Sequence, residues 1–391
     1  MIADCQGQRS PGTTLRMQFR VYSHWHDLPA GYADLFARAS PQDFCLSRAW
    51  FEALAATTLD AGERLTIAGV EADAPAILPR ACLVGRHRER DPAFFGARSF
   101  SSLSNYYTLR YAPILDGGDG RAALVALIEG LRARRPRYAV LHFEPLAADA
   151  ALSDDLAAAL RDAGLLTRRY FRFGNWYDDT RGRSFRDYLA DRPAALRNTL
   201  RRKSRRLARA GSVRMAVVRD GGGLADALAR YEQVYAASWK PAEPHPAFVR
   251  RLAAALVDAG ALRLALQYLD GRPIAAQLWI VWHGTATLYK LAHDRGFNAL
   301  SPGTLLTMRL LERLLDEERV AELDLGAGDD PYKRLWASRR RARVGLVGFD
   351  PLTLGGSFGI FRHVMLSRLK PGVGVWTGYG GRAQYEPWIQ R

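Results

Sequence analysis

The chain is poor in cysteine, in lysine and in long apolar runs, and each shortage excludes something. Only three cysteines occur in 391 residues, Cys5, Cys45 and Cys82. They are odd in number, far apart and in no C-x-x-C spacing, so neither a disulfide framework nor a zinc site is supported. A reducing compartment fits this usage, and a cytoplasmic location is expected. The longest strongly apolar run, 274–282, is broken by Gln277. About 20 apolar residues are needed to cross a bilayer, so no transmembrane helix is expected. The N-terminus carries Asp4 and Arg9 and no apolar core of about 7–15 residues, which excludes a secretory signal. There is no G-x-G-x-x-G and no P-loop. His24 and His26 would share one strand face, but no third ligand is evident near them, and no metal site is expected.

What is abundant is positive charge, and it is local. The formal net charge is +16. Residues 192–219 hold ten basic and no acidic side chains, and 332–349 hold six basic and none acidic. The remainder carries 40 basic and 40 acidic groups and is neutral. Of the 56 cations 51 are arginine and five are lysine, which with the abundant alanine suggests a GC-rich genome rather than selection for phosphate binding. At 48% hydrophobic and 25% charged the chain is globular, with length for two domains or one large one.

The hydrophobic pattern divides it into two mixed α/β halves. In the first, strands are expected at 17–22, 65–70, 76–84, 138–143 and 168–177, with helices through 48–54, 122–134 and 152–163. The charged stretch 86–98, with Pro92 and Gly96, reads as a loop. In the second half a short element at 184–189 precedes a basic helix. On that helix Leu196, Leu200 and Leu207 share one face with Ser204. Arg197, Arg201, Arg205 and Arg209 run beside it, with Arg202 and Arg206 further round, so its outer face is cationic. Helices at 224–238, 246–259 and 303–318 and strands at 262–269, 273–282, 285–293 and 322–325 follow. Asp270-Gly271 is a strong hairpin signal. The boundaries so drawn are a flexible tail (1–16), a first domain (17–183), a second domain (184–350) and a C-terminal extension (351–391). The order of strands excludes a Rossmann sheet. The expected class is α/β with mixed sheets.

Two short motifs point to chemistry. Ser301-Pro302-Gly303 follows a strand and opens a helix. Serine suits the N-cap, proline the first helical position, and the free N–H groups with the helix dipole make an anion site. Next, a strand ends at Asp324 and runs into Gly326, Gly328 and Asp329, a carboxylate-and-glycine turn of the kind found both in active sites and in ordinary caps. The basic helix reads as a solvated face, or as a surface for an anionic ligand such as tRNA, a sugar phosphate or the 3′-phosphate of coenzyme A. Attachment to a membrane surface is a weaker alternative, because its apolar face is narrow and lacks Trp or Phe.

Together these pieces resemble the acetyltransferase domain of the GNAT superfamily in its CelD/BcsL-like branch, related to the FemAB-type aminoacyltransferases. The resemblance rests on 188–203, Ser238-Trp239-Lys240, Gly271 with Ala275-Ala276-Gln277, Leu288-Tyr289-Lys290, Ser301-Pro302-Gly303, Asp324-Leu325-Gly326, Tyr332-Lys333 and Trp336. It covers about 180–350 well. The first half is matched mainly by Trp50-Phe51, Asn105-Tyr106-Tyr107 and 173–177. It implies two GNAT-like domains in tandem, with donor and acceptor meeting near the second domain and the cleft between the two. The family's pyrophosphate motif Q/R-x-x-G-x-G/A is kept only in part: aligned on Gly303, this chain has Asn298 and Ser301 in the first and fourth places.

The resemblance further implies oxyanion stabilisation by backbone N–H groups of a splayed strand, expected at about 277–281. Donor binding is thus expected at Gln277, Leu278, Trp279, Ser301, Pro302, Gly303 and Thr304. His293, Asp324 and Asp329 are candidate bases, Tyr289 or Tyr332 a candidate acid, and Lys290 and Lys333 neutralise phosphate or carboxylate. Trp239, Lys240, Lys290, Tyr332, Trp336, Asn105 and Tyr106 are expected around the substrate, and Arg197, Arg201, Arg202 and Arg205 form the anion patch. The leading expectation is N-acyl transfer from acyl-CoA to an amine or amino-sugar acceptor in polysaccharide biosynthesis. The alternatives are a FemAB-like transferase drawing on aminoacyl-tRNA and acting on a peptide or cell-wall precursor, and a catalytically inactive GNAT scaffold in a biosynthetic complex.

Overall fold

The computed structural model describes residues 17–72, 77–117 and 120–369, with the backbone alone for 363–369. The expected flexible tail (1–16), Cys5, and 370–391 of the C-terminal extension lie outside the described residues. In chain order the first half comprises β1 (Met17–Tyr22), α1 (Gly31–Ala39), α2 (Arg48–Thr57), β2 (Glu63–Ala72), β3 (Leu78–Asp91), β4 (Ala97–Ser102), β5 (Ile114–Leu115), α3 (Gly120–Ala133), β6 (Val140–Ala147), α4 (Ala151–Asp162) and β7 (Leu166–Asp179). The second comprises α5 (Phe185–Ala190), α6 (Ala194–Ala210), β8 (Val213–Val218), α7 (Leu224–Ala236), α8 (Pro246–Asp258), β9 (Leu262–Leu269), β10 (Arg272–Trp282), β11 (Thr285–His293), α9 (Pro302–Glu312), β12 (Glu322–Ala327), α10 (Lys333–Trp336), β13 (Arg339–Phe349) and α11 (Leu354–Leu369). Among the described residues no helix is long and apolar enough to cross a membrane.

All thirteen strands join one mixed sheet, in the order β1-β2-β3-β4-β6-β13-β7-β12-β11-β10-β9-β8, with β5 alongside β3. The two halves are therefore continuous through their backbones. The long β7 pairs with β12 and also with β13. The last strand, β13, returns from the second half to lie between β6 and β7 of the first.

The local chemistry explains most of these elements. In α6, Leu196, Leu200 and Leu207 are buried while Arg201, Arg202, Arg205, Arg206 and Arg209 are exposed, as the spacing requires. Asp270 (φ 50°) and Gly271 (φ 79°) both take positive φ, and this turn joins β9 to β10. The stretch 86–98 is not the loop its charge suggested. Here β3 continues to Asp91, because its cations pair across the ladder: Arg88 meets Asp60 and Glu63, each at 3.0 Å. Nor do His24 and His26 share a strand face. The strand β1 ends at Tyr22, and the two histidines flank a turn with Asp27, all exposed, their ligand-capable atoms within 4.8 Å of one another.

The second basic stretch lies mostly in β13, and much of its charge is neutralised internally. Arg340 pairs with Asp329 at 2.7 Å, and Arg341 with Glu322 at 2.8 Å and Asp324 at 2.6 Å. One apolar core fills the first half and extends under α7 and α8. A second lies between the sheet and α9. The halves also meet through aromatic side chains: the Trp50 ring of α2 lies 5.5 Å from Phe248 of α8 and 5.9 Å from Tyr289 of β11.

Candidate active-site cleft between the halves

The site begins with a defect in strand pairing. Leu278 of β10 pairs with Lys290 of β11, but its neighbour Trp279 pairs with Leu288, so Tyr289 is an extra residue and β11 bulges there. On its other edge β11 runs parallel to β12 only from Thr285 to Thr287, ending at the pair Thr287–Asp324. Beyond that pair the two strands part. Gly326 sits at the parting with φ 69°, and a Cβ there would lie 2.7 Å from the Leu288 carbonyl oxygen. A side chain at this point would force the strands apart.

A cleft of about 890 Å³ opens where they separate. The 288–291 stretch of β11, Leu325, Ala327, Gly328 and Lys333 form one side. The first half closes it with Asn105–Leu109, Glu144, Arg172 and Phe173, and the loop from Trp239 to His245 crosses it. Three of the chain's five lysines, Lys240, Lys290 and Lys333, face this space. In a chain that otherwise uses arginine, that concentration is informative.

Each lysine is held differently. Lys290 forms an ion pair with Glu243 and lies 4.5 Å above the Tyr107 ring. Glu243 also accepts hydrogen bonds from the Tyr107 hydroxyl and, at 3.4 Å, from Tyr106. This carboxylate therefore ties the crossing loop to both halves. The Lys333 ammonium donates to the carbonyls of Ala327 and Gly326 and lies 3.6 Å from Asp330. Lys240 has no ion pair among the described residues; its ammonium sits 5.8 Å from the rings of both Tyr235 and Trp239. Burial, reinforced by the charge of Lys290, pushes its pKa down from 10.5 to about 8. Burial also lowers the pKa values of Lys290 and Lys333, opposed by Glu243 and Asp330 respectively. The Tyr332 phenol lines the same cleft and is held well above its ordinary pKa, chiefly by burial. It remains protonated.

The structure thus brings together Asn105, Tyr106, Trp239, Lys240, Tyr289, Lys290, Tyr332 and Lys333. Tyr289 is half-buried and donates its hydroxyl to the Tyr107 carbonyl at 3.1 Å. Other expected residues lie elsewhere. His293 ends β11 outside the cleft lining, 4.6 Å from the Trp239 ring and 2.8 Å from Asn298 Oδ1, and burial lowers its pKa. Asp329 is clamped by Arg340 and Trp176, and the Arg340 hydrogen bonds lower its pKa. Asp324 is buried and fully engaged by Asn175 (2.6 Å), the Gly326 N–H (2.7 Å) and Arg341 (2.6 Å), and it faces a different cavity. Trp336 is in the second core, with its carbonyl accepting from Arg192 at 2.9 Å.

The splayed strand is β11, one strand later than the expected 277–281. Gln277, Leu278 and Trp279 are in ladders on both edges and buried. Gln277 braces α9 by donating to the Gly303 carbonyl at 3.0 Å and Thr307 Oγ1 at 2.8 Å. At the head of α9, Pro302 takes the first helical position, but the Ser301 side chain makes no capping hydrogen bond. Ser301 is left-handed (φ 53°, ψ 50°), the conformation glycine would favour at that place in the motif. Gly303 is buried against His293, and Thr304 is half-buried. On α6, Arg197 bonds the Ala190 carbonyl while Arg201, Arg202 and Arg205 are exposed and form no ion pair among the described residues.

Sequence reasoning missed Glu243, Tyr107, Glu144 and Arg172. Glu144 meets Arg172 at 3.0 Å and Tyr170 at 2.5 Å. The Ala242-Glu243-Pro244 setting was a weak signal for a fixed loop carboxylate; nothing local marked the other three.

The site is thus a sheet whose strands part beside a bulge, with a helix starting beyond the end of the bulged strand. Residues 194–334 match the family model described as "Acetyltransferase (GNAT) domain". Among solved structures the chain is similar in fold to FemX, at 12% identity, 88% of this chain and 99% of that one, with a TM-score of 0.57. It is also similar to a conserved protein of unknown function from Bacteroides thetaiotaomicron VPI-5482, at 11% identity, 85% and 100% coverage and a TM-score of 0.54. No curated protein is significantly similar to it in sequence. The domain match supports acyl transfer in general terms.

Proposed function

We propose that the chain transfers an acyl group from a coenzyme A thioester to an amine, in the cleft between its halves. The carrying observation is the bulge at Tyr289 where β11 parts from β12, within the stretch that matches the GNAT model. The unpaired edge of β11 beyond the bulge offers backbone N–H groups to the acyl carbonyl oxygen as negative charge develops on it. The amine attacks the carbonyl carbon and the carbon–sulfur bond breaks. Lys240, held at about 8 and without an ion pair among the described residues, takes the proton from the amine. Tyr332, kept protonated by burial, gives a proton to the leaving thiolate. The glycine-like backbone of Ser301 preserves the turn of the pyrophosphate loop despite the missing glycine, which supports a coenzyme A donor. On the motif resemblance we place the acceptor among amino sugars of polysaccharide biosynthesis and the protein in the cytoplasm.

One observation favours aminoacyl-tRNA as donor instead. Pro302 removes an N–H from the pyrophosphate loop, while α6 presents an exposed arginine face. Thermal unfolding with acetyl-CoA, longer acyl-CoAs and charged tRNA separates the readings. The lead predicts saturable stabilisation by at least one acyl-CoA. No shift with any acyl-CoA and a salt-sensitive shift with charged tRNA would overturn it.

A further inference from the structure

A second cavity, of about 400 Å³, lies on the other side of the last β11–β12 pair; Thr287 and Asp324 line it, and Leu109 lines both spaces. Arg110, Arg343, Asp43 and Thr285 also face it. The acyl-transfer reading does not use this cavity. From β13, Arg341 and Arg343 reach the same side of the sheet with opposite fates. Arg341 is paired with Glu322 and Asp324. Arg343 is 5% exposed and has no ion pair among the described residues. Its hydrogen bond is a long one, 3.4 Å from Nη2 to Asn175 Oδ1, and its buried Nε has no partner. Arg110 repeats the pattern, with Nη contacts of 3.4 Å to the Gln42 carbonyl and side-chain oxygen and a buried Nε without a partner.

Four acids line the cavity, Asp43, Asp149, Glu322 and Asp324, and none forms an ion pair with Arg343 or Arg110; Asp149 is exposed at its edge. Asp324 is saturated by Arg341, Asn175 and the Gly326 N–H. Glu322 serves Arg341. Asp43 accepts from the Cys45 N–H at 2.9 Å and lies beyond ion-pair distance of both arginines. A buried guanidinium without a counter-charge is unfavourable, and its planar fork is matched by the two oxygens of a carboxylate or phosphate. Burial chiefly disfavours the charged form of Arg343; Asp324 and Asp43 oppose this, while Arg341 and Arg110 add to it, and an anion between Arg343 and Arg110 would relieve the repulsion.

We propose that this cavity is a binding site for a small oxyanion-bearing molecule, a carboxylate or a phosphate, held between Arg343 and Arg110. The site is separate from the transfer cleft, and the proposal does not depend on the acyl-transfer reading. The test is thermal unfolding of the full chain with sodium glutarate or sodium phosphate, each against sodium chloride at matched ionic strength. The expected result is a saturable rise in Tm with one of the two, which also identifies the oxyanion. That rise should vanish in Arg343→Met and need at least tenfold more anion in Arg110→Gln. It should persist in an Arg201→Gln/Arg205→Gln variant, which removes exposed charge from α6. Without anion, Arg343→Met should unfold at or above the wild-type temperature, since an uncompensated buried charge has been removed. No saturable shift in the wild type, or an unchanged shift in Arg110→Gln or Arg343→Met, would overturn the assignment. So would loss of the shift in the α6 variant alone.

Discussion

Replacing Lys240 by methionine is the sharpest perturbation available at the cleft. The ammonium is desolvated, has no ion pair among the described residues and is held at about 8 instead of 10.5. That displacement corresponds to about 3 kcal/mol of destabilisation while the side chain is charged in both folded and unfolded chains. The unfolded chain binds the extra proton between pH 8 and 10.5, so the lysine's penalty is full below pH 8 and fades as pH rises through that window. Methionine keeps the stem and removes the charge. Urea unfolding of Lys240→Met should therefore show a gain of roughly 1–3 kcal/mol at pH 7 that shrinks towards zero near pH 10. Transfer activity should fall in the same variant, and wild-type kcat/KM should rise with pH to a plateau above about 8. A variant less stable than wild type at pH 7, or a gain that is the same at both pH values, would refute the reasoning.

Three further outcomes follow from neighbouring groups. Glu243→Gln leaves Lys290 buried without its counter-ion and should lower stability by about 3 kcal/mol in urea unfolding, with most of the loss recovered in Glu243→Gln/Lys290→Met. Gly326→Ala places a Cβ 2.7 Å from the Leu288 carbonyl at φ 69°, so it should cost about 1–3 kcal/mol and reduce kcat in a coupled thiol-release assay by more than it reduces folded protein. Asp324→Asn should lower stability by roughly 1–3 kcal/mol, since Arg341 keeps Glu322 as a partner, while kcat/KM of the folded fraction stays within about tenfold, because this carboxylate does not face the cleft.

Much of the fold was legible because local chemistry sufficed. The leucine spacing specified α6, and Asp270-Gly271 specified the β9–β10 turn. The first half's contribution at Asn105 and Tyr106 was legible only through family resemblance, since no local rule brings residue 106 to residue 243. What failed was long-range. The splay was assigned one strand early because the resemblance was carried onto 277–281, and an apolar run reads the same whether or not its strand edge is open. The stretch 332–349 read as a local excess of positive charge because the counter-charges of Arg340 and Arg341, Asp329, Glu322 and Asp324, arrive from β12 and the turn after it. Glu243 was invisible because its importance comes from Tyr106, Tyr107 and Lys290, three residues remote from it in sequence.

The central claim is that the parting of β11 and β12 is where the acyl donor lies. Hydrogen–deuterium exchange with and without a non-transferable thioether analogue of acetyl-CoA tests it directly. The account predicts slowed exchange in 288–293, at the head of α9 and in 105–109. Protection confined to α6, or none at saturating analogue, would contradict it.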